Sequence, residues 1–201
     1  MRFMTHETRQ HILDTGQAII SGKGFSAVGL NEILKASGVP KGSFYHYFSS
    51  KEAFGEALIK SYFINYLSTV DSLFSKLEFS AAERLMNYFT YWFETQSSCD
   101  SKGRCLVVKL AAEVSDLSEA MRVALEQGTS QAIDRLINII QEGINDRSLP
   151  AHLNPQVMAT TLYQLWLGAS VHAKITHTAA PLRSTLEATQ ELLGLSLHQP
   201  H

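Results

Sequence analysis

Residues 30–51 read LNEILKASGVPKGSFYHYFSSK, and this stretch decides the fold. The apolar residues of its first half recur at helical spacing, which predicts a short helix with one apolar face; they are Leu30, Ile33 and Leu34. Gly38 can take the left-handed backbone that ends such a helix. Pro40 suits the first turn of a second helix, because its missing N–H is not needed there. The stretch therefore predicts two short helices joined by a tight turn.

The second of these helices has two different faces. Its apolar face, which we expect to anchor it to a core, consists of Phe44, Tyr47 and Phe48. Its polar face, called the reading face below, consists of Lys41, Gly42, Ser43, Tyr45 and His46. Cations and hydroxyls that reach phosphates, with a glycine that lets backbone come close, are what a helix in a DNA major groove requires. By itself the pattern also fits an ordinary helical hairpin.

The residues of this region resemble the sequence signature of a known family. Residues 38–54, GVPKGSFYHYFSSKEAF, resemble the recognition-helix signature of the TetR family of bacterial repressors, and residues 8–34 are similar to the two preceding helices. Gly29 departs from the Ser or Thr that the family more often has as helix cap, and glycine is an acceptable substitute. The resemblance implies a DNA-binding domain over residues 1–50, with the reading face on bases and Lys51 on a phosphate. It also implies a repressor that binds a pseudo-palindromic double-stranded operator as a homodimer.

Composition agrees with an intracellular regulator. The chain has 201 residues, 45% of them hydrophobic, which is enough for a substantial core. It has no long apolar run and no signal peptide pattern, so we expect a cytoplasmic protein without a membrane span. Residues 1–60 hold seven Lys/Arg against five Asp/Glu, and the rest hold ten against fourteen, for a net charge of -2. This agrees with a basic DNA-binding part on an acidic body, although so small a difference also arises by chance.

The remaining chain predicts helices and no strands, because no segment alternates at period two for long enough. Together with an opening helix over 5–23, the pattern indicates an all-α fold of about nine helices. Residues 51–201 then form a larger helical sensing and dimerisation domain, whose helical segments are 51–74, 81–96, 106–114, 118–145, 154–175 and 182–195. The segment 154–175 is more apolar than one monomer needs. We interpret it, with the helix before it, as a dimer interface; a fully buried central helix is the alternative.

Aromatic residues crowd the segment 81–96. Tyr88 and Trp92 are candidates for lining a pocket that binds a hydrophobic small molecule reversibly, as many family members do. The same residues also fit a plain hydrophobic core. A TetR-type repressor with such a reversible ligand is therefore one of two hypotheses about sensing.

The other hypothesis concerns Cys105. The sequence around it, SKGRCLVVK, places Lys102, Arg104 and Lys109 nearby and a predicted helix start beside it. Cations and a helix N-terminus favour the thiolate, which attacks electrophiles and oxidants. The alternative is a small buried core residue.

A second resemblance bears on this choice. The segments GRCLVVKLAAEVSDLSEAMR and LWLGASVHAKI are similar to those of the N-ethylmaleimide-responsive repressors within the TetR family. The resemblance implies that Cys105 is the sensor of electrophiles or chlorine oxidants and that Lys174 takes part. Lys174 could instead carry its charge from an apolar helix to solvent. Cys99 offers a competing disulfide with Cys105.

An enzyme is the class that the sequence least supports. It has no glycine-rich phosphate loop and no Cys/His set at metal-ligand spacing. His172 and His177 are five residues apart, which puts them on different faces of a helix. We expect neither a cofactor nor a metal.

Overall fold

A computed structural model describes residues 2–97 and 106–195. The described chain forms nine α-helices and no strand, as the sequence predicts. They are α1 Arg2–Lys23, α2 Leu30–Ser37, α3 Lys41–Tyr47, α4 Lys51–Phe74, α5 Ala81–Ser97, α6 Leu106–Leu117, α7 Glu119–Asn145, α8 Pro155–Thr176 and α9 Ala180–Leu192. None of these helices combines the length and the apolar character needed to cross a membrane.

Packing divides the chain into two compact units. The first unit comprises Met1–Asn65 with Asp100–Gly128, and the second comprises Tyr66–Cys99 with Thr129–His201. Each unit thus combines two separate parts of the sequence. The expected boundary between a DNA-binding and a sensing domain, after residue 50, concerns the division of labour and stays a prediction.

The first unit is built around the two short helices. Gly38 ends α2 with φ 68°, the left-handed backbone expected of it. Phe44 and Phe48 are buried and pack on Phe54 of α4, with ring centroids 5.5 and 5.2 Å away. Tyr47, the third expected anchor, is half-buried. The predicted anchoring is therefore confirmed for Phe44 and Phe48, while Tyr47 is only partly buried.

The second unit has an aromatic core between α5, α8 and α9. The rings of Phe89 and Trp166 stack 5.1 Å apart, and both side chains are fully buried. The two indole N–H groups find hydroxyls, since Trp92 Nε1 donates to Ser170 Oγ at 3.1 Å and Trp166 Nε1 donates to Thr189 Oγ1 at 3.0 Å. Buried indoles are usually satisfied in this way, so this core is specified by polar as well as apolar contacts.

Candidate DNA-binding surface and sensing region

The reading face of α3 is presented to solvent. Lys41, Gly42, Tyr45 and His46 are exposed, while Ser43 is half-buried. Opposite them, Phe44 is buried in the core of the first unit. The helix starts after Pro40, whose φ of -64° and ψ of 151° place it just before the first helical turn rather than within it. The structure thus brings the five predicted reading residues onto one accessible surface, apart from the partial burial of Ser43.

Two of these residues are near each other. Lys41 Nζ lies 5.9 Å from the centroid of the Tyr45 ring, within the range of a cation–π contact. Tyr45 is 46% exposed, so its ring and hydroxyl remain available. An ammonium beside an accessible phenol can meet a phosphate and a base edge at adjacent positions.

Lys51 has a structural contact that the sequence did not indicate. Its Nζ donates to the backbone carbonyl of Phe25 at 2.8 Å and lies 4.5 Å from the centroid of the Phe25 ring. An ammonium has three donors, so this bond leaves others for a phosphate. The expected phosphate contact of Lys51 stays a prediction.

Two side chains of α1 contact the α2–α3 pair, one at the end of α2 and one at the end of α3. His11 Nε2 lies 3.0 Å from the carbonyl oxygen of Ser37, at the end of α2. Arg9 lies over the ring of Phe48, with its guanidinium carbon 5.3 Å from the centroid. Neither contact follows from spacing along the sequence, because the partners are far apart in the chain. They fix α1 against α2 and against the end of α3.

The expected sensing residues are described only in part. Cys99 and Cys105, with Lys102 and Arg104, lie outside the described residues. Lys174 is half-buried in the last turn of α8, where a positive charge is favourable near the helix C-terminus. The roles of Cys105 and Lys174 stay predictions.

Tyr88 and Trp92 belong to the core of the second unit. Tyr88 is 1% exposed and its hydroxyl lies 2.6 Å from that of Tyr66. Trp92 is 5% exposed and packs edge-on against Tyr163, with centroids 5.6 Å apart. This close packing is what is expected if Tyr88 and Trp92 are core residues. A reversible ligand at these side chains would have to displace part of that packing.

Within the described residues, no three His, Cys, Asp or Glu side chains come together in a group that could hold a metal ion. The exposed side chains of α3 offer hydrogen bonds and a positive charge.

Family models match most of this architecture. Residues 12–58 match the model described as bacterial regulatory proteins, tetR family, and residues 81–189 match the tetracyclin repressor-like C-terminal domain. The chain belongs to the TetR family of transcriptional regulators. This membership confirms the expected all-α fold with an N-terminal helix-turn-helix. It also confirms a regulator rather than an enzyme, because the matching family and relatives are regulators.

Individual relatives are similar over nearly the whole chain. The HTH-type transcriptional repressor NemR of Escherichia coli (strain K12) is 38% identical over 94% of this chain and 95% of its own. The HTH-type transcriptional repressor DhaR of Mycobacterium sp. (strain GP1) is 33% identical over 92% and 91%. The crystal structure of E. coli NemR in its reduced form superposes with a TM-score of 0.87 at 40% identity, covering 92% of this chain and 96% of that one. These matches confirm the predicted similarity of the chain to TetR-family repressors of the NemR type.

Proposed function

We propose that this transcriptional repressor binds a pseudo-palindromic operator as a homodimer and is released when Cys105 is modified by an electrophile or oxidant. Residues 1–50 would read the DNA, and residues 51–201 would sense and dimerise. The observation that carries the DNA-binding half is the exposed reading face of α3 on a helix whose opposite face is buried. Lys41, Tyr45 and His46 offer the cation, hydroxyl and imidazole groups that contact phosphates and base edges.

Dimerisation is supported by the surface of α8. Four large apolar side chains are exposed on this one helix: Val157 62%, Leu165 37%, Val171 44% and Ile175 70%. At about 100° of rotation per residue they fall within roughly a third of the circumference. The opposite face of the helix is buried and includes Leu162, Trp166 and Ala173. These exposed apolar side chains on an otherwise packed helix support α8 as part of the proposed dimer interface.

The sensing half is supported by the sequence around Cys105. Arg104, Lys102 and Lys109 are close to it in the chain, and neighbouring cations favour the thiolate. For the relative E. coli NemR, a reduced form has been crystallised.

The proposed modification of Cys105 has two forms, alkylation by an electrophile and oxidation by hypochlorous acid. An activated alkene such as N-ethylmaleimide gains a carbon–sulfur bond from the Cys105 thiolate, and the resulting enolate takes a proton from water. With hypochlorous acid, the thiolate becomes a sulfenic acid and chloride leaves. A neutral Lys174 amine would then form a sulfur–nitrogen bond with loss of water, while Cys99 would form a disulfide with loss of water.

The test is operator release by N-ethylmaleimide. A Cys105→Ser variant should bind a selected operator duplex as the wild type does and stay bound after treatment, because no thiolate is left at that position. A Cys99→Ser variant is the matched control and should be released normally.

Release of Cys105→Ser at the wild-type reagent concentration would contradict the proposal. If instead an apolar inducer releases Cys105→Ser without covalent modification, the reversible ligand is the sensing mode. Loss of the hypochlorous acid response in Cys99→Ser alone, confirmed by peptide mapping, would assign the oxidant branch to a disulfide rather than to Lys174.

A further inference from the structure

The loop between α1 and α2 is bound by a side chain of α6. Glu113 accepts two backbone hydrogen bonds from it: the N–H of Phe25 donates to Oε2 at 3.0 Å, and the N–H of Ser26 donates to Oε1 at 2.5 Å. The partners are 88 and 87 residues apart in the chain. Each carboxylate oxygen takes one N–H, so the loop is held at two points by one rigid group.

The same loop residue is held from α4. Lys51 Nζ donates to the carbonyl of Phe25 at 2.8 Å. The Phe25 side chain is 4% exposed, and a methyl group placed on Gly55 would lie only 2.7 Å from its ring. Phe25 is thus bound through its N–H to α6 and through its carbonyl and ring to α4. Its position depends on both helices.

Gly24 lies beside the carboxylate of Glu113 in a backbone conformation that favours glycine. Gly24 has φ 94°, a conformation that residues with a side chain rarely adopt, and a Cβ there would lie 3.0 Å from Glu113 Oε2. Burial alone would raise the pKa of Glu113, but hydrogen bonds from Ser26 and Phe25, with the charge of Lys109, outweigh it and lower the pKa. The carboxylate is therefore ionised at neutral pH and keeps both acceptors.

We propose that Glu113 is a positioning residue that fixes the α1–α2 loop to α6 and thereby couples α6 to the helix-turn-helix. The loop leads directly into α2, which starts at Leu30, so a shift of α6 that carries Glu113 must move the loop or break the two bonds. Coupling of this kind is reciprocal, so DNA bound by the helix-turn-helix should also stabilise α6. That Cys105 modification uses this route rests on the proposed function, whereas the coupling itself does not.

The first experiment measures this reciprocity without any inducer. Hydrogen exchange of the full chain is followed by mass spectrometry, with and without a duplex recovered by selection from random sequence. Glu113→Gln keeps the size of the side chain but has a single acceptor oxygen, so one of the two loop N–H groups loses its partner. Asp116→Asn is the matched control, because it removes the same charge from an exposed position on the same helix.

In the wild type and in Asp116→Asn, we expect DNA to slow exchange both in the helix-turn-helix and in α6. In Glu113→Gln the effect on the helix-turn-helix should remain, while the slowing in α6 falls by about fivefold or more. Equal slowing of α6 in Glu113→Gln and wild type would overturn the proposal. Absence of any effect on α6 in the wild type would overturn it too.

A second experiment uses N-ethylmaleimide and the ratio of operator Kd after and before treatment. Glu113→Gln should lower this ratio by about fivefold or more, with the untreated Kd within about threefold of wild type. Glu113→Asp keeps the charge but shortens the reach, so it should behave like Glu113→Gln and carries the test if that variant does not fold. If Glu113→Asp gives the wild-type Kd ratio while Glu113→Gln gives a lowered one, the proposal that two hydrogen bonds to one carboxylate hold the loop is wrong. If Cys105→Ser responds as wild type, the cysteine mechanism fails while the exchange experiment still decides the role of Glu113.

Discussion

The carboxylate of Asp146 caps a helix that begins 65 residues earlier in the chain. Its Oδ2 accepts the N–H of Ala81 at 2.9 Å, in the first turn of α5, and its Oδ1 accepts the N–H of Ser148 at 2.8 Å. Ser148 Oγ in turn accepts the N–H of Ala82 at 3.0 Å. Two of the N–H groups that α5 cannot satisfy internally are therefore bonded to the turn after α7.

Hydrogen bonds from Ser148 and Ala81 lower the pKa of Asp146 from its ordinary value of 3.8. A lowered pKa contributes stability above the unfolded value, and this stability is lost as pH falls through the folded pKa. Asp146→Asn, which loses the charge and one acceptor oxygen, should lower the free energy of unfolding near pH 7 by about 1 kcal/mol. The difference from wild type should shrink as the pH falls through the lowered pKa of Asp146, where the wild-type carboxylate takes up a proton.

Urea denaturation across this pH range measures the effect. Asp134→Asn is the matched control, since Asp134 is an exposed aspartate on α7 within the second unit, and it should leave the free energy of unfolding nearly unchanged. A difference between Asp146→Asn and wild type that stays constant with pH would contradict the assignment.

Whether the role of a residue could be predicted depends on how far its contact partners lie from it along the sequence. The reading face could be predicted because a helix repeats every 3.6 residues and the burial of Phe44 fixes which side faces out. The contact of Lys51 with Phe25 and the grip of Glu113 could not be predicted, because no local pattern links residues that meet only after folding. Tyr88 and Trp92 illustrate the same limit: aromatic residues of a core and of a pocket have one sequence pattern.

At the level of elements, α3 owes its existence to its neighbours. It has seven residues, too few to be stable alone. The packing of Phe44 and Phe48 on Phe54 supplies what helix propensity does not. Exposed residues of α3 therefore can be changed without unfolding it, which makes them suitable for a test of DNA contacts.

Lys41→Ala should weaken operator binding by removing one phosphate contact. The expected loss is about 1 kcal/mol or roughly fivefold in Kd, and the slope of log affinity against log salt should become shallower by about one. Titrations of labelled duplex at several salt concentrations measure both. Lys76→Ala, an exposed lysine just after α4, is the control and should leave the slope unchanged. An unchanged slope in Lys41→Ala would remove Lys41 from the interface.

Helix positions follow from the sequence more closely than helix ends do. The predicted bounds of α4 are confirmed, and α8 starts one residue later than predicted because Asn154 caps it, accepting the N–H of Val157 at 3.1 Å. The last helix runs Ala180–Leu192 rather than 182–195. Its start is earlier because Pro181 fits the first helical positions, and Gly194 at φ 68° stands beyond its end. Caps of this kind are local, but several residues compete for each role.

On the scale of the whole molecule, the two compact units combine distant parts of the sequence. Residues 100–128 belong with 1–65, although nothing in their composition distinguishes them from the chain that follows. Periodicity predicts that a segment is a helix but not which helix it packs on. The fold class was therefore predictable, while the membership of α6 in the first unit was not.

The dimer proposal makes a prediction for the assembled molecule. Val171 is 44% exposed, and Gly168 one turn earlier has nothing within 4 Å of where its Cβ would be, so this face of α8 is open in the single chain. Val171→Glu would bury an unpaired charge in the proposed two-fold interface, once in each protomer. Because two half-sites are read together only by a dimer, affinity for a full operator should fall by about 100-fold or more, with half-site affinity unchanged.

Sedimentation velocity and circular dichroism test this directly. Val171→Glu should sediment as a monomer at concentrations where the wild type is a dimer, and it should keep its helix content, because the changed side chain lies on the exposed face. Leu77→Glu is the control: Leu77 is 81% exposed outside α8, so the same change there should leave both the dimer and the operator affinity intact. A dimeric Val171→Glu with wild-type affinity would move the interface away from α8. Monomers that still bind the full operator tightly would mean that one helix-turn-helix suffices.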